Sequence, residues 1–256
     1  MSDLVELERR GAIAILRINR PDVRNAFDRA TAQAMEGALD AFDADADLRV
    51  GVLTGAGVAF SAGQDLKAAA RGEFAQTEKR GGFGIMAQPP KKPLIAAVEG
   101  PALAGGFELA LSCDLIVASS ASQFGLPEVK RSLIAVGGGA LRLPHRVPHH
   151  IAMEMLLSGD AQSAEAMARW GIVNRVCAPG EALATALALA ETIAVNGPLA
   201  VVATKEIATR SRGENWSAAE AWTRQMEVAG PVFASEDFRE GLLAFAQKRA
   251  PKWSGR

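Results

Sequence analysis

The sequence predicts an α/β fold in which short buried strands alternate with helices, and an all-α part at the C-terminal end. Short apolar runs bounded by turn residues recur at 50–55, 93–100 and 114–119, which is the pattern of strands buried on both faces. Each run is followed by a loop of small residues or by a helix start. This recurrence indicates a stacked superhelix of strands and helices. Beyond residue 158, helical spacing of apolar residues dominates.

The N-terminal segment predicts a β-hairpin followed by a helix. Apolar residues favour strands at 4–8 and 12–18, and Gly11 lies in the turn between them. After a loop, Asp28 is predicted to cap a helix that extends to about residue 44. The apolar side chains of that helix recur at helical spacing: Ala34, Met35, Ala38, Leu39 and Phe42.

The C-terminal part is predicted to be helical. A helix over 164–171 ends at Gly171 and precedes a strand over 172–177. Further helices are predicted at 181–196, 198–211, 217–229 and 235–249. The last of these carries an apolar face that needs a partner, so we expect this part to mediate oligomerisation. We divide the chain at residue 195 into a core, 1–195, and a helical region, 196–256.

The composition excludes several classes of partner. With 256 residues and a formal net charge of -1, the chain gives no electrostatic reason to expect nucleic acid or an anionic membrane as a partner. No apolar run approaches bilayer length, and the N-terminus is unlike a signal peptide. Cys113 and Cys177 match no metal-ligand spacing and are typical of a reducing compartment. We therefore expect a cytoplasmic protein.

Two glycine-rich turns follow predicted strands: "GAGVAFSAGQDLKA" (55–68) and "EGPALAGGFELAL" (99–111). Amide groups at a helix N-terminus lack internal acceptors and carry the positive end of the helix dipole. Two such turns facing each other would stabilise an oxyanion. Glycines also occur where chains cross closely, so close packing remains an alternative for each turn.

Two carboxylates have unusual surroundings. Glu108 lies in an almost wholly apolar segment after two glycines, and an unpaired buried charge is costly. Glu128 follows Pro127 between apolar neighbours. A pair of carboxylates suits general acid and base chemistry. For Glu128, a cap at a helix start is the alternative interpretation.

The two turns and "SQFGLPEVKRSLIAVGGGALRL" (122–143), in this order and spacing, resemble the crotonase (enoyl-CoA hydratase) superfamily. The resemblance runs from end to end, including 158–176 and the closing segment 235–256. It implies a crotonase-like spiral of ββα units that holds the acyl-CoA site, with a C-terminal all-α trimerisation region. The implied assembly is a homotrimer, or a hexamer built as a dimer of trimers.

The resemblance also implies roles for single residues. The two oxyanion N–H donors fall on Gln64 and Gly105. Glu108 falls on the base that acts on water, and Glu128 on the acid that acts on C2. Contacts to coenzyme A are implied for two loops and, reaching a neighbouring subunit, for the last helix: Arg24, Ala26, Ala62, Asp65, Leu66, Phe245 and Lys248.

The implied activity is reversible addition of water across the 2,3 double bond of a 2-enoyl-CoA thioester, a hydro-lyase reaction. No cofactor is expected, because coenzyme A is part of the substrate. Segments such as "FELALSCDLIVAS" look especially like the carnitinyl-CoA dehydratase branch, which is the alternative. A non-catalytic acyl-CoA-binding protein is an alternative of a different class, and the presence of both glutamates favours an enzyme. Ala135 and Val136 depart from the proline and glycine that hydratases commonly carry there.

Other chemistries fit the sequence poorly. His145 and His149 have the spacing of a helical metal pair, but Pro144 and Pro148 make one continuous helix there unfavourable. No metal is therefore expected. A serine hydrolase is disfavoured because the chain has no G-x-S-x-G.

Overall fold

The computed structural model describes residues 3–256. Its strands in chain order are β1 (Val5–Arg10), β2 (Ile13–Ile18), β3 (Val50–Gly55), β4 (Gln76–Thr77), β5 (Gly81–Gly82), β6 (Leu94–Val98), β7 (Pro101–Leu103), β8 (Leu115–Ser119), β9 (Gln123–Gly125), β10 (Gln162–Ser163) and β11 (Arg175–Cys177). Its α-helices are α1 (Arg29–Ala44), α2 (Leu66–Ala69), α3 (Gly105–Leu111), α4 (Gly139–Arg142), α5 (His149–Ser158), α6 (Ala164–Arg169), α7 (Ala182–Ala194), α8 (Pro198–Gly213), α9 (Ala218–Ala234) and α10 (Glu236–Ala246). Short 3-10 helices span Pro21–Val23, Pro127–Arg131 and Leu143–His145.

The main sheet has the strand order β1-β2-β3-β6-β8-β11. The β1–β2 pair is antiparallel, and the remaining neighbours are parallel. This confirms the predicted hairpin, with Gly11 at φ +58°, and the three predicted buried strands. A smaller sheet has the order β10-β9-β7, and β4 pairs with β5. The strands of these two smaller sheets have only two or three residues, too few for a periodic pattern, so the sequence did not predict them.

Both faces of the main sheet are buried, as parallel strands require. On one face, Ile13, Ile15 and their counterparts on the neighbouring strands pack against α7 through Ala186, Leu187 and Ala190. On the other face, the alternate residues pack against α1 and α3. Every residue of α3 is buried. The helix that carries Glu108 is therefore anchored in the largest apolar cluster of the fold.

Helix termini follow the sequence closely. Asp28 caps α1 by accepting a 2.8 Å hydrogen bond from the Thr31 amide, as predicted. Gly171 lies after α6 with φ +80°. Pro198 is the first residue of α8, and Ser217 forms a capping box with Glu220 at the start of α9.

Three predicted boundaries were wrong. Helix α9 passes residue 229 and ends at Ala234, with Pro231 inside it, because a proline removes one N–H donor without necessarily ending a helix. Helix α10 ends at Ala246 rather than 249. The strand predicted over 172–177 is confined to Arg175–Cys177, because the Ile172 and Val173 amides bond back to Met167.

Lys205 joins α8 to the core, where its ammonium group contacts Asp114 at 2.6 Å and donates to the Pro90 and Lys92 carbonyls.

Helix α9 buries none of its residues. The exposed apolar side chains on α9 and α10 include Trp222, Met226, Phe233, Leu242 and Phe245. The division at residue 195 stays a prediction. Within residues 3–256, no single helix is long and apolar enough to cross a bilayer, and the pair α7 and α8, which together meet that criterion, is bent by 106°.

Candidate active site

The backbone of Gln64 faces an open site because of how its segment pairs with the loop before α1. Phe27 donates to the Gly63 carbonyl and accepts from the Asp65 amide, each at 2.8 Å. In such a parallel bridge the middle residue directs its own N–H to the opposite side. The hydrogen bonds within residues 3–256 do not use that N–H.

The Gln64 side chain has a different task. Its Oε1 accepts from the Ala75 amide at 3.0 Å, and its Nε2 donates to the Glu73 carbonyl at 3.4 Å. The side chain therefore holds the loop at residues 73–75, and the amide is left for the site.

The second amide belongs to Gly105, the first residue of α3. It has no partner within its helix, as expected at a helix N-terminus, and it donates to no acceptor in the part of the chain that the structure describes. The preceding Ala104 has φ 51° and ψ -128°, a conformation that L-residues rarely adopt. This backbone turn sets the direction in which the Gly105 amide points.

The two glycine-rich turns also pack tightly together. A side chain at Gly63 would place its Cβ 2.9 Å from the Gly105 nitrogen, and one at Gly106 would overlap the Ser61 carbonyl. The close-packing alternative is therefore correct for these glycines, and it is compatible with the oxyanion interpretation. Close packing is what brings the Gln64 segment beside the Gly105 amide.

Glu108 lies in the first turn of α3 with only 5% of its surface exposed. Its Oε1 accepts a 2.8 Å hydrogen bond from the Gly139 amide. Burial raises the pKa of Glu108, and the amides of Gly139 and Gly137 together with the charge of Arg142 oppose that rise. The carboxylate is thus held in one position by donors that favour its ionised form.

Glu128 lies in the 3-10 helix Pro127–Arg131 and is half-buried. Its Oε2 is buried and has no hydrogen-bond partner among residues 3–256. Burial, together with the smaller effect of the negative charge of Glu108, raises the pKa of Glu128 to about 7. The helix-cap alternative does not explain a buried oxygen without a partner. The arrangement instead favours a carboxyl group that is protonated near neutral pH and able to give up its proton.

The loop before α4 completes the surroundings of Glu108. A side chain at Gly137 would place its Cβ 2.6 Å from Glu108 Oε2, so any larger residue there would displace the carboxylate. The two residues that depart from the hydratase pattern precede it: Ala135 is buried, and Val136 is 83% exposed. Neither Gly137 nor Gly139 was predicted from the sequence as part of the site. The glycine run 137–139, which begins nine residues after Glu128, was the available signal.

The residues predicted to contact coenzyme A fall into two groups. Two loops carry the first group, and the Ala62 amide joins them by donating to the Arg24 carbonyl at 2.9 Å. Ala26 is buried in this junction, whereas Leu66 is exposed. Asp65 caps α2 and pairs with Arg20, so its side chain has a structural role.

The second predicted group lies on the last helix and just after it. Phe245 is 87% exposed, and Lys248 follows α10 with φ 52°. A role for either residue at a neighbouring subunit's coenzyme remains a prediction.

The two histidines of the rejected metal pair lie on different elements, because Pro148 separates the 3-10 helix Leu143–His145 from α5. Residues 3–256 contain no group of three potential ligands that could hold a metal ion.

Comparison with known proteins agrees with this geometry. The family model described as enoyl-CoA hydratase/isomerase matches residues 8–256. A carnitinyl-CoA dehydratase of Salmonella arizonae is 42% identical over 261 residues, covering 100% of both chains. The enoyl-CoA hydratase EchA19 of Mycobacterium tuberculosis is 40% identical, over 98% of this chain and 96% of the relative. Among solved structures, the enoyl-CoA hydratase EchA1 from Mycobacterium marinum superimposes with a TM-score of 0.96 at 55% identity, covering all of both chains.

Proposed function

The chain belongs to the enoyl-CoA hydratase/isomerase family, and from this premise we propose that it is an enoyl-CoA hydratase. The proposal rests on one observation above all. Glu108 is buried and Glu128 half-buried, both have raised pKa values, and the negative charge of Glu108 acts on Glu128. Within residues 3–256, the amides of Gln64 and Gly105 donate to no acceptor. Hydration of an enoyl thioester needs these groups together: one base, one acid and donors for an oxyanion.

The surroundings of each glutamate suggest its role. Glu108 accepts an amide hydrogen bond, which favours the carboxylate, so we assign it as the base that takes a proton from water. Glu128, with a pKa of about 7 and a buried oxygen lacking a partner, is assigned as the acid. The water oxygen bonds to C3, and the Glu128 proton goes to C2. The electron pair of the double bond passes through a thioester enolate, whose oxygen accepts from the Gln64 and Gly105 amides.

Carnitinyl-CoA dehydratase activity is the second candidate, supported by the 42% identical Salmonella relative. Both reactions need the same acid, base and oxyanion donors, so the difference lies in the group attached beyond C3. Ile134 and Val136 are largely exposed apolar side chains just before the loop that holds Glu108. An apolar acyl chain suits such neighbours better than a quaternary ammonium group does, and we therefore rank the enoyl-CoA substrate first.

The assay follows the ultraviolet absorbance of the enoyl thioester in a panel of crotonyl-CoA, longer 2-enoyl-CoA esters and crotonobetainyl-CoA. We expect the absorbance to fall fastest with an unsubstituted enoyl chain. The matched control is Glu108→Gln, which retains the shape of the side chain and loses the base. Fastest turnover of crotonobetainyl-CoA would favour the second candidate. Binding of every ester without turnover would instead identify a non-catalytic acyl-CoA-binding protein.

We also propose that the protein acts in the cytoplasm as a homotrimer or a dimer of trimers. The apolar side chains that α9 and α10 expose support a helical oligomer interface. The free thiols of Cys113 and Cys177 are typical of a reducing compartment. Light scattering of the purified protein tests the assembly.

A further inference from the structure

Arg142 joins two segments that are far apart in the sequence. It is the last residue of α4, and its guanidinium is half-buried. Nη1 donates to the Gly137 carbonyl at 3.1 Å, and Nη2 donates to the Met86 carbonyl. One planar group therefore connects the loop at residues 137–139 with the segment at residues 80–88.

Both segments lie against Glu108. The first donates the Gly139 amide to its carboxylate. The second contributes Met86, because a Cβ added at Gly137 would lie 2.5 Å from the Met86 sulfur and 2.6 Å from Glu108 Oε2. Met86, Gly137 and Glu108 thus meet at one point, and Arg142 bonds to the backbone of the first two.

The far end of the 80–88 segment is fixed independently. Arg80 is almost fully buried, donates to the Gln88 carbonyl at 2.9 Å and pairs with Asp40 and Asp43 of α1. The segment is therefore held to α1 by Arg80 and to the Glu108 loop by Arg142.

We propose that Arg142 is a positioning residue for the hydration reaction, in that it holds the 137–139 loop and the 80–88 segment together around the carboxylate of Glu108. This inference rests on the proposed function. Arg142 is assigned no contact with substrate. It acts through the amide of Gly139 and the backbone of Met86.

Besides its hydrogen bonds, the positive charge of Arg142 also acts on Glu108. It lowers the pKa of Glu108 against the effect of burial. The other charged group facing Glu108 is Glu128, and Arg142 itself is near Cys113 and Arg146. Burial lowers the pKa of Arg142, but arginine starts so high that it remains a cation at neutral pH. Without this cation, Glu108 would hold its proton to a higher pH.

The test compares Arg142→Gln and Arg142→Lys with the matched control Arg146→Gln. Arg146 lies four residues further along, just after the 3-10 helix Leu143–His145, is exposed, and donates no side-chain hydrogen bond within residues 3–256. In Arg142→Gln we expect kcat to fall about 10- to 100-fold, the scale of a misplaced catalytic group, with KM changed little. The acid limb of the kcat profile should move about one pH unit upward. Arg142→Lys retains the charge and should leave that limb in place, with an intermediate kcat. Arg146→Gln should match wild type.

Hydrogen exchange followed by mass spectrometry provides a readout that needs no turnover. In Arg142→Gln, exchange should rise in peptides covering 82–88 and 134–142 and remain unchanged in the main sheet. A kcat within twofold of wild type, unchanged exchange in both peptides, or a general rise throughout the sheet would each overturn the proposal. If wild type hydrates none of the enoyl-CoA esters, the proposed function fails. The exchange data then still decide whether Arg142 holds the two segments.

Discussion

Glu128, the proposed acid, also carries a cost to stability, and replacing it separates the two effects. Its buried Oε2 has no partner among residues 3–256, and burial raises the pKa of the group to about 7 from an ordinary value of 4.5. The variant Glu128→Gln retains the size of the side chain and removes the charge. We expect it to be nearly inactive and, at alkaline pH, more stable than wild type.

The sign of the expected stability change follows from the direction in which the pKa of Glu128 is shifted. Because the folded-state pKa lies above the unfolded value, the stabilisation from this group is fully present below pH 4.5 and is lost as the pH rises through 7. A shift from 4.5 to about 7 corresponds to roughly 3 kcal/mol of unfolding free energy at most. Since Glu128 is only half-buried, solvent screening reduces this to about 1–2 kcal/mol.

The assay is urea unfolding at pH 5.5 and pH 8.5, at one protein concentration so that assembly contributes equally. Relative to wild type, Glu128→Gln should gain about 1 kcal/mol between the two pH values, because part of the stabilisation has already been lost at pH 5.5. Its kcat should fall roughly a hundredfold or more. The control Glu154→Gln changes an exposed glutamate on α5 and should show neither effect. A stability difference that is the same at both pH values, or near-wild-type turnover, would refute the assignment of Glu128 as a buried acid.

Further predictions concern the base, the oxyanion donor and the assembly. Glu108→Gln should lower kcat roughly a hundredfold with little change in substrate binding. The double variant with Glu128→Gln should lose far less in kcat than the product of the two single losses, because both groups act on one water. A loss in steady-state kcat equal to that product would contradict a shared water. Gln64→Ala should keep most of the activity, although it removes the hydrogen bonds that hold the loop at 73–75. Gln64→Pro removes the backbone N–H, so a folded variant that still binds coenzyme A should lose about 10²–10³ in rate. Equal losses in the two variants would show that the side chain, not the amide, takes part in the reaction. Deleting residues 235–256 should give unstable or misassembled protein, because it removes Phe238, whose ring packs against Phe233 of α9, and Trp253, which donates to the Val195 carbonyl. An active monomer by light scattering would contradict this.

The sequence predicted the main strands and helices well because their apolar residues recur at a regular spacing and turn or capping residues mark where each element begins or ends. The hairpin, β3 and the cap at Asp28 follow directly from alternating apolar residues, a glycine turn and a capping side chain. The small sheet of β7, β9 and β10 depends on pairing between residues up to 40 positions apart, such as Gln123 and Ser163, which local patterns do not report.

The candidate site was predictable only in part for the same reason. Resemblance identified Glu108 and Glu128, but their different electrostatic surroundings arise from the tertiary packing. Glu108 finds the Gly139 amide 31 residues further along, whereas Glu128 Oε2 finds no partner in the described chain. Arg142 likewise reaches a carbonyl 56 residues away, so its role was not visible in the sequence.

The parallel pairing of the main sheet also determines when, during synthesis and folding, the residues of the candidate site come together. Gln64 follows β3, Gly105 and Glu108 follow β6 and β7, Glu128 follows β9, and the Gly139 amide comes later still. Parallel neighbours require long crossovers, whose closure is slow relative to local helix formation. A chain emerging from the ribosome can therefore form its first hairpin and α1 early, yet the proposed acid, base and oxyanion donors are not complete until Glu128 has been synthesised, and Glu108 has no amide partner until Gly139 has folded back. Each active molecule has thus closed every one of these crossovers.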